Sequence, residues 1–262
     1  MLEELGRQAE FYARSAVAAP RTLRRYRSEV LRLLADVSLG SGVLAAIGGT
    51  VMVIAVLVGA AGVELGIQGH GLLSSVGVDA LAGFVSSYAN TREVAPLLAG
   101  IGLTATVGAG FTAQLGAMRV SQEIDALEAM AVPPIPFLVT TRMIAGFVAV
   151  IPLYAVAVLM SFTATRVVLT GVYGQPAGTY QHYFTAFLQP ADLLWSFGKA
   201  LVMAVLVILV CCYQGFAATG GPAGVGMAVG KAVRTCLVGV LLTDMLLDFV
   251  IYSGPSTVHI SG

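Results

Sequence analysis

Charged residues are scarce in this 262-residue sequence, and their scarcity indicates the class of protein. Asp, Glu, Lys and Arg make up 11% of the chain, against about 25% in typical soluble domains. Hydrophobic residues make up 57%, and the mean hydropathy is +0.88. This composition excludes an ordinary soluble domain and predicts an all-α integral membrane protein that crosses the bilayer several times.

Cysteine and histidine are also rare, with three residues of each. Cys211, Cys212 and Cys236 lie in apolar segments, and an odd count with two adjacent residues fits neither a disulfide framework nor a CxxC metal motif. We expect these thiols to be buried between helices. The histidines are far apart in the sequence: His70, His182 and His259. Neither a bound metal nor a bound cofactor is therefore predicted for this chain.

A glycine-rich segment at residues 220–232 superficially resembles a phosphate-binding loop. The spacing from Gly224 to Gly230 is one residue too long, and Ala232 stands where the motif needs Ser or Thr to bind magnesium. We therefore expect no ATP hydrolysis by this chain. The segment predicts instead a cytoplasmic turn between two closely packed helix ends, with Gly226 and Gly230 at the contact.

Long runs without charge predict the membrane spans, because a helix needs about 20 apolar residues to cross a bilayer. The five predicted spans are residues 37–63, 94–118, 143–165 and 200–230, and a fifth from after Arg234 to about Tyr252. Residues 65–91 are only moderately apolar and rich in Gly and Ser, which predicts a loop with a short interfacial or re-entrant segment. Residues 170–192 predict an external loop with room for one short helix.

An N-terminal arm, residues 1–36, carries seven arginines and five acidic residues, whereas the other 226 residues carry only sixteen charges. No apolar segment typical of a signal peptide follows its basic residues. Apolar side chains recur at helical spacing before and after Pro20: Leu2, Leu5, Ala9 and Tyr12, then Leu23, Tyr26, Val30 and Leu34. An amphipathic helix lying on an anionic leaflet is the favoured interpretation, and an ordinary solvated helix is the alternative.

The distribution of Lys and Arg predicts the orientation of the spans. With five spans and a cytoplasmic arm, eleven of these residues lie inside and three lie outside: Arg92, Arg166 and Lys199. The C-terminal tail, residues 254–262, is then external. A sixth span over residues 72–89 would give ten inside and four outside, so charge alone does not separate five spans from six.

A short charged segment separates the second and third predicted spans. Residues 119–134 read R-V-S-Q-E-I-D-A-L-E-A-M-A-V-P-P, and their apolar side chains share one helical face: Val120, Ile124, Leu127 and Ala131. We expect Ser121 to cap this helix, Glu123 to lie in its first turn, and the two prolines to end it. The pattern predicts a helix at about residues 120–132 that docks a soluble partner. A passive linker is the alternative.

Polar residues inside or beside the spans are candidates for a pathway. Asp244 and Asp248 are one helical turn apart in the fifth span, and intramembrane carboxylates usually face the bundle interior or a water-filled cavity. Arg92 and Glu93 begin the second predicted span, where they would pair with each other or with a partner, or line an outer opening. Pathway and structural pairing remain equal alternatives for each site.

Small residues in the second span allow close helix approach, notably Gly108, Gly110 and Gly116. Packing within the chain is the favoured interpretation. Contact with a partner subunit is the alternative.

Two segments resemble a known family. T-R-E-V-A-P-L-L-A-G, at residues 91–100, and A-Q-L-G-A-M-R-V-S-Q-E-I-D-A-L-E-A-M-A-V-P-P, at residues 113–134, resemble the MlaE/YrbE permeases of lipid-transporting ABC systems. Y-R-S-E-V-L-R-L-L-A and G-T-Y-Q-H-Y-F-T-A-F-L-Q-P-A-D-L-L-W-S-F are similar to the B-type YrbE subunits of actinobacterial Mce systems. The resemblance covers about residues 28–253. Gln114 departs from it, because the family usually has Glu there.

The resemblance implies an interfacial arm at residues 1–36 and a permease domain with five transmembrane helices at residues 37–253, in the inner membrane of mycobacteria or their relatives. It implies that a separate cytoplasmic ATPase dimer, which holds ATP and Mg, contacts the coupling helix through five residues: Arg119, Glu123, Asp125, Leu127 and Glu128. The other implied partners are an A-type YrbE homologue in a heterodimer, an external Mce hexamer, and an imported lipid such as a fatty acid or sterol. No nucleic acid is implied.

Other classes of function are kept as rivals. A motor-independent, proton-coupled carrier would use Asp244 and Asp248, although the chain shows no inverted repeat of interrupted spans. A lipid-modifying enzyme would need clustered His, Ser or metal ligands, which the sequence does not bring together. A structural scaffold would leave the coupling helix insensitive to charge reversal.

Overall fold

The computed structural model describes residues 2–39 and 49–253, and within these ranges every long element is a helix. The helices in chain order are α1 (Leu2–Arg25), α2 (Arg27–Leu39), α3 (Thr50–Ser75), α4 (Ala82–Ala89), α5 (Ala95–Leu103), α6 (Ala109–Val120), α7 (Glu123–Ala129), α8 (Thr141–Val167), α9 (Ala177–Phe187), α10 (Pro190–Phe216) and α11 (Gly221–Tyr252). Residues 40–48 of the predicted first span and the predicted tail at 254–262 lie outside the described ranges.

Within residues 2–39 and 49–253, five continuous helical segments are long and apolar enough to cross a membrane: Thr50–Ser75, Asp79–Val120, Ile135–Val172, Pro190–Phe216 and Gly221–Tyr252. The second segment joins α4, α5 and α6 through π-helical turns, and the third joins α8 to flanking π-helical turns in the same way. The predicted all-α fold and the count of five are confirmed, and the chain is a multi-pass membrane protein.

The predicted loop at residues 65–91 is wrong. The first span continues to Ser75, and after a turn at Gly77 (φ +74°) the second span begins at Asp79. Helix therefore occupies most of the segment that its Gly and Ser content had assigned to a loop.

Close contact with α8 explains why α3 contains Gly62 and Gly66. A Cβ on Gly62 would lie 2.7 Å from the carbonyl oxygen of Ser161, and one on Gly66 would lie 3.1 Å from Cγ1 of Val168. Thr165 Oγ1 also donates a hydrogen bond to the carbonyl of Gly62, at 2.8 Å. Glycine at four-residue spacing marks a packed helix face in this span.

The predicted boundary between the fourth and fifth spans is also wrong. The run at residues 200–230 contains a turn between α10 and α11, where Gly220 adopts φ +90°, a conformation that glycine tolerates without a Cβ clash. Lys231 and Arg234 therefore lie within α11 and not before it. Lys199 lies within α10 and not outside the spans.

The predicted short helix at residues 170–192 is confirmed as α9. This helix packs against α4, where a Cβ on Gly83 would lie 2.5 Å from the carbonyl oxygen of Tyr180. The buried Tyr180 hydroxyl lies 2.9 Å from Ser86 Oγ. These contacts attach α9 to the start of the second span.

The N-terminal arm packs on the end of the bundle that carries α7, here called the α7 end. The Phe11 ring lies 5.4 Å from Tyr213 and 5.6 Å from Phe216, both near the end of α10. Thr140 Oγ1, at the start of the third span, donates to the carbonyl of Ser15 at 3.2 Å. Burial against this end raises the pKa of Tyr12 to about 12.

The buried face of α1 differs from the predicted apolar stripe. Phe11, Ser15 and Thr22 are buried, whereas Leu23 is 53% exposed. Val30, in α2, is buried as predicted, and the side chains of Leu2 and Leu5 lie outside the described part of the chain. The difference arises because α1 continues through Pro20 and packs on the spans with small polar groups as well as with Phe11.

The three thiols are buried between helices, as predicted. Cys211 Sγ in α10 and Cys236 Sγ in α11 lie 3.5 Å apart.

Candidate functional sites

A separate short helix, α7, stands at the position predicted for the coupling helix but is shorter than residues 120–132. Gln122 before it (φ 61°) and Ala131 after it (φ 57°) are left-handed, so they interrupt the helical path on both sides. The predicted cap is wrong. Ser121 Oγ contacts the carbonyl of Ala117 at 3.0 Å and the carboxylate of Glu123 at 2.8 Å, which keeps this hydroxyl at the end of α6.

Helix α7 is attached to the bundle through part of its predicted apolar stripe. Ile124 is fully buried in the main hydrophobic core, and Leu127 packs against that core. Val120 remains 37% exposed, and Ala131 is exposed. Ile124, with Leu127 beside it, therefore anchors the helix to the core.

The exposed surface of α7 carries three carboxylates, Glu123, Asp125 and Glu128, which we call the acidic face. Asp125 lies opposite the buried stripe, and Glu123 and Glu128 flank it. Arg119 Nη1 lies 2.8 Å from Asp125 Oδ1, and this pair is itself solvent-accessible. The Arg119 guanidinium is 6.0 Å from the centre of the Phe216 ring. The predicted coupling residues thus lie together at the α7 end, with carboxylates available to another molecule.

A second polar site lies at the other end of the bundle, here called the far end. Its members are Arg92, Glu93, Asp192, Lys199, Asp244 and Asp248, which we call the far-end charge cluster. Arg92 and Glu93 do not begin the second span as predicted. They lie inside it, in the π-helical turn Asn90–Val94, and such turns in membrane helices frequently accompany functional sites.

Lys199 is the centre of this cluster. Its Nζ lies 2.5 Å from Asp248 Oδ1 and 2.8 Å from Asp244 Oδ1, and it donates to the carbonyl of Arg92 at 2.8 Å. The Asp244 contact lacks hydrogen-bond geometry, so it is electrostatic. The Lys199 side chain is fully buried, and these neighbours replace the water that an ammonium group would otherwise need.

Glu93 completes a group of three carboxylates. One oxygen from each of Glu93, Asp244 and Asp248 lies within 4.8 Å of the others. The Lys199 ammonium already contacts both aspartates, so it supplies the positive charge that a cation would bring to this group.

Arg92 forms the other ion pair of the cluster. Its Nη2 and Nε lie 2.9 and 3.1 Å from Asp192 Oδ2. The guanidinium also lies 4.2 Å from the ring centres of both Tyr88 and Tyr252, at cation–π distance. It therefore links the second, fourth and fifth spans.

Sequence reasoning had selected four of these six residues and missed Asp192 and Lys199. It placed Lys199 outside the spans because the charge-free run begins only after it. Pro190 was the available signal, because proline favours the first turn of a helix. A helix that starts at Pro190 holds Asp192 in its first turn and Lys199 two to three turns further in.

The five glycines predicted to pack helices fall into two groups. A Cβ on Gly108 would lie 2.8 Å from Cys211 Sγ, and one on Gly116 would lie 2.9 Å from Val225 Cγ1. For Gly110, Gly226 and Gly230, a Cβ would meet no atom of the described residues within 4 Å. At these three positions helix packing stays a prediction, and contact with a partner subunit is the alternative that fits their open surroundings.

Gln114, the departure from the family pattern, contacts a buried arginine. Arg142 Nη2 lies 3.4 Å from Gln114 Oε1 and Nη1 donates to the carbonyl of Leu138 at 2.9 Å. Arg142 is only 5% exposed, and its Nε has no hydrogen-bond partner among the described residues. This buried cation is thus held by neutral acceptors.

Comparisons with known proteins agree with the resemblance at the level of the family. Residues 40–250 match the family described as Permease MlaE. A probable ABC transporter permease protein of Synechocystis is 29% identical over 178 residues, 68% of each chain. The chloroplast protein TRIGALACTOSYLDIACYLGLYCEROL 1 of Arabidopsis thaliana is 28% identical over 179 residues, which are 68% of this chain and 51% of that protein. Because the family match covers most of its length, the chain belongs to the MlaE permease family.

Proposed function

We propose that this chain is the membrane-spanning permease subunit of an ABC-type lipid transporter. Membership of the MlaE family supports the permease role, and relatives in Synechocystis and Rickettsia are named as probable ABC transporter permeases. The Arabidopsis relative bears the name of a galactolipid, which favours a lipid as cargo. The chain itself would bind no cofactor, and ATP and Mg would be held by a partner ATPase.

The observation that carries this proposal is the acidic face of α7. Glu123 and Glu128 are exposed on a helix that is fixed to the core through Ile124. A soluble motor that contacts this face would move α7, and through Ile124 it would move the adjoining second and third spans. Arg119 and Leu127, which lie beside the acidic face, would also contact the motor.

The far-end charge cluster would lie near the external end of the pathway, on the arm-in, tail-out orientation that the positive-inside rule favours. It joins the second, fourth and fifth spans through ion pairs. A shift transmitted from α7 would therefore reach these three spans together. Glu93 is the exposed member of the three-carboxylate group, so a partner subunit or a lipid could reach the cluster at this side chain.

The narrower assignment is a B-type YrbE subunit of an Mce lipid importer, in a heterodimer with an A-type homologue and below an external Mce hexamer. The exposed apolar face of α11 favours such a partner or the bilayer: Val238, Leu241, Leu242, Met245, Leu246, Phe249 and Val250 are each more than half exposed. The arm at residues 1–36 would lie on the cytoplasmic leaflet, and residues 37–253 would form the permease domain.

The proposal is tested by charge reversal on α7. We expect Glu128→Lys to abolish co-purification of the ATPase from native membranes while the permease still inserts and folds. Asp79→Lys is the matched control, because Asp79 is an exposed acid at the far end. Unchanged recovery of the ATPase with Glu128→Lys, or equal loss with Asp79→Lys, would contradict the docking role of α7.

The far-end charge cluster also favours a second candidate, a motor-independent proton-coupled carrier. Four carboxylates share this cluster inside the spans with two cations, an arrangement that suits proton uptake. Transport in vesicles separates the two functions. Uptake that requires the ATPase and ATP supports the permease, and uptake by this chain alone, driven by a pH gradient, supports the carrier.

A further inference from the structure

A groove of about 690 Å³ lies at the α7 end, between α1 and the segment that follows α7. One wall is a face of α1 with Arg14, Val17, Arg21 and Arg25. The other wall includes Pro133 and Pro136. The acidic face of α7 contributes no residue to this groove, but Glu128 lines an adjoining pocket that shares Arg14, Pro133 and Pro136 with it.

The groove combines positive charge with apolar surface. The arginines are spaced by seven and then by four residues, which puts Arg14, Arg21 and Arg25 on one helical face. Arg14 pairs with Glu10, whereas Arg21 makes no ion pair with the side chains described at residues 6–35 and 49–253. Val17 lies among these arginines and is 76% exposed. A complementary ligand carries negative charge at one end and hydrocarbon at the other.

The groove also lies where the chain enters the membrane. Pro136 belongs to the first turn of the third span, and Thr22 Oγ1 donates to its carbonyl at 3.4 Å. The arm is thus held at the level of the span ends, beside the headgroups of the adjoining leaflet. Lipids are the amphipathic molecules present there at high concentration, and basic residues at this level favour anionic ones.

We propose that this groove binds an anionic phospholipid of the adjoining leaflet as a resident ligand, separate from the transported cargo. The phosphate would lie between Arg21 and Arg25, and the first methylene groups would cover Val17 and the two prolines. This inference deepens the proposed function but does not depend on transport, because binding is measured on the chain alone.

The test is native mass spectrometry of the full chain in detergent, with phosphatidylglycerol or phosphatidylcholine added. We expect phosphatidylglycerol to be retained preferentially, and Arg21→Gln/Arg25→Gln to lower its retention about tenfold, since each basic residue near an anionic headgroup contributes appreciably. The matched control is Arg24→Gln/Arg27→Gln. It removes the same charge from exposed positions that do not line the groove. This control should retain the lipid within about twofold of the unmodified chain, because it loses only general electrostatic attraction and keeps the groove.

Three outcomes would overturn the inference. Equal loss in the control would show general attraction to a basic arm without a site. Displacement of phosphatidylglycerol by millimolar inorganic phosphate, with no effect of Val17→Asn on retention, would show an anion site that does not bind hydrocarbon. Unchanged lipid retention in Arg21→Gln/Arg25→Gln, together with lost co-purification of the ATPase, would assign the groove to the protein partner.

Discussion

The two ends of the helical bundle both carry charged side chains, but they hold them differently. At the α7 end, Glu123 and Glu128 are exposed, and the Arg119–Asp125 pair has side chains 39% and 59% exposed. At the far end, Lys199 is fully buried between two aspartates. Carboxylates at the α7 end can therefore bind another molecule, whereas Asp244 and Asp248 at the far end pair with a lysine of the same chain.

The cost of dehydration explains this difference. A charge inside the membrane is stable only beside an opposite charge or a polar group, so the far end must supply its partners from neighbouring helices. At the α7 end water satisfies the carboxylates, and an ion pair there contributes little to stability. Exposed charge is therefore the more informative sign of docking, and buried charge is first a requirement of folding.

The largest effect is expected from Lys199→Met. This change leaves Asp244 and Asp248 without their shared cation, and breaking a buried pair by removing one partner costs about 3–5 kcal/mol. Thermal unfolding in detergent, followed with a thiol-reactive dye that reports exposure of the three buried cysteines, measures the loss. Arg166→Met is the control, because Arg166 is an exposed cation of the spans. Equal stability of the two variants would show that the buried cation at the far end stabilises the fold no more than an exposed cation does.

Hydropathy was sufficient for the class and the all-helical fold, because burial in lipid requires long apolar helices. The choice of five spans over six came from the resemblance to the permease family. Hydropathy failed where glycine was taken as a loop signal: inside the first span, Gly66 packs against α8 and Gly69 packs against Val85 of α4. It failed again at the fourth span, where a charge was taken as a boundary although Lys199 lies inside a helix. Single-sequence patterns do not contain the neighbours that make a buried glycine or lysine favourable.

The candidate sites show the same limit. The acidic face of α7 was predictable, because it depends on the periodicity of one short helix and on exposure. The ion pairs of Arg92 with Asp192 and of Lys199 with Asp244 join residues that are 100 and 45 positions apart. Only the packing of three spans brings them together, so Asp192 and Lys199 gave no signal as partners.

An intermediate effect is expected from Gln114→Glu, which would place a carboxylate beside the buried guanidinium of Arg142 at the α7 end. Gln114 Oε1 already lies 3.4 Å from Arg142 Nη2, and a hydrogen bond between charged groups is about twice as strong as a neutral one. We expect stabilisation of about 1 kcal/mol, measured by the same unfolding assay. Ala117→Glu, an exposed position one turn from Gln114, controls for added charge. Destabilisation by Gln114→Glu would show that Arg142 is better held by neutral acceptors.

The smallest effect is expected from Asp125→Asn, which removes the exposed pair with Arg119. Exposed pairs contribute about 0–1 kcal/mol, so the unfolding temperature should stay close to that of the unmodified chain. Binding of a soluble partner to the acidic face should nevertheless weaken, because one of its three carboxylates is lost. If Asp125→Asn instead destabilised the chain as much as Lys199→Met, the acidic face would be a structural element of the bundle. The two ends would then not differ in the way described, because carboxylates at both ends would stabilise the fold.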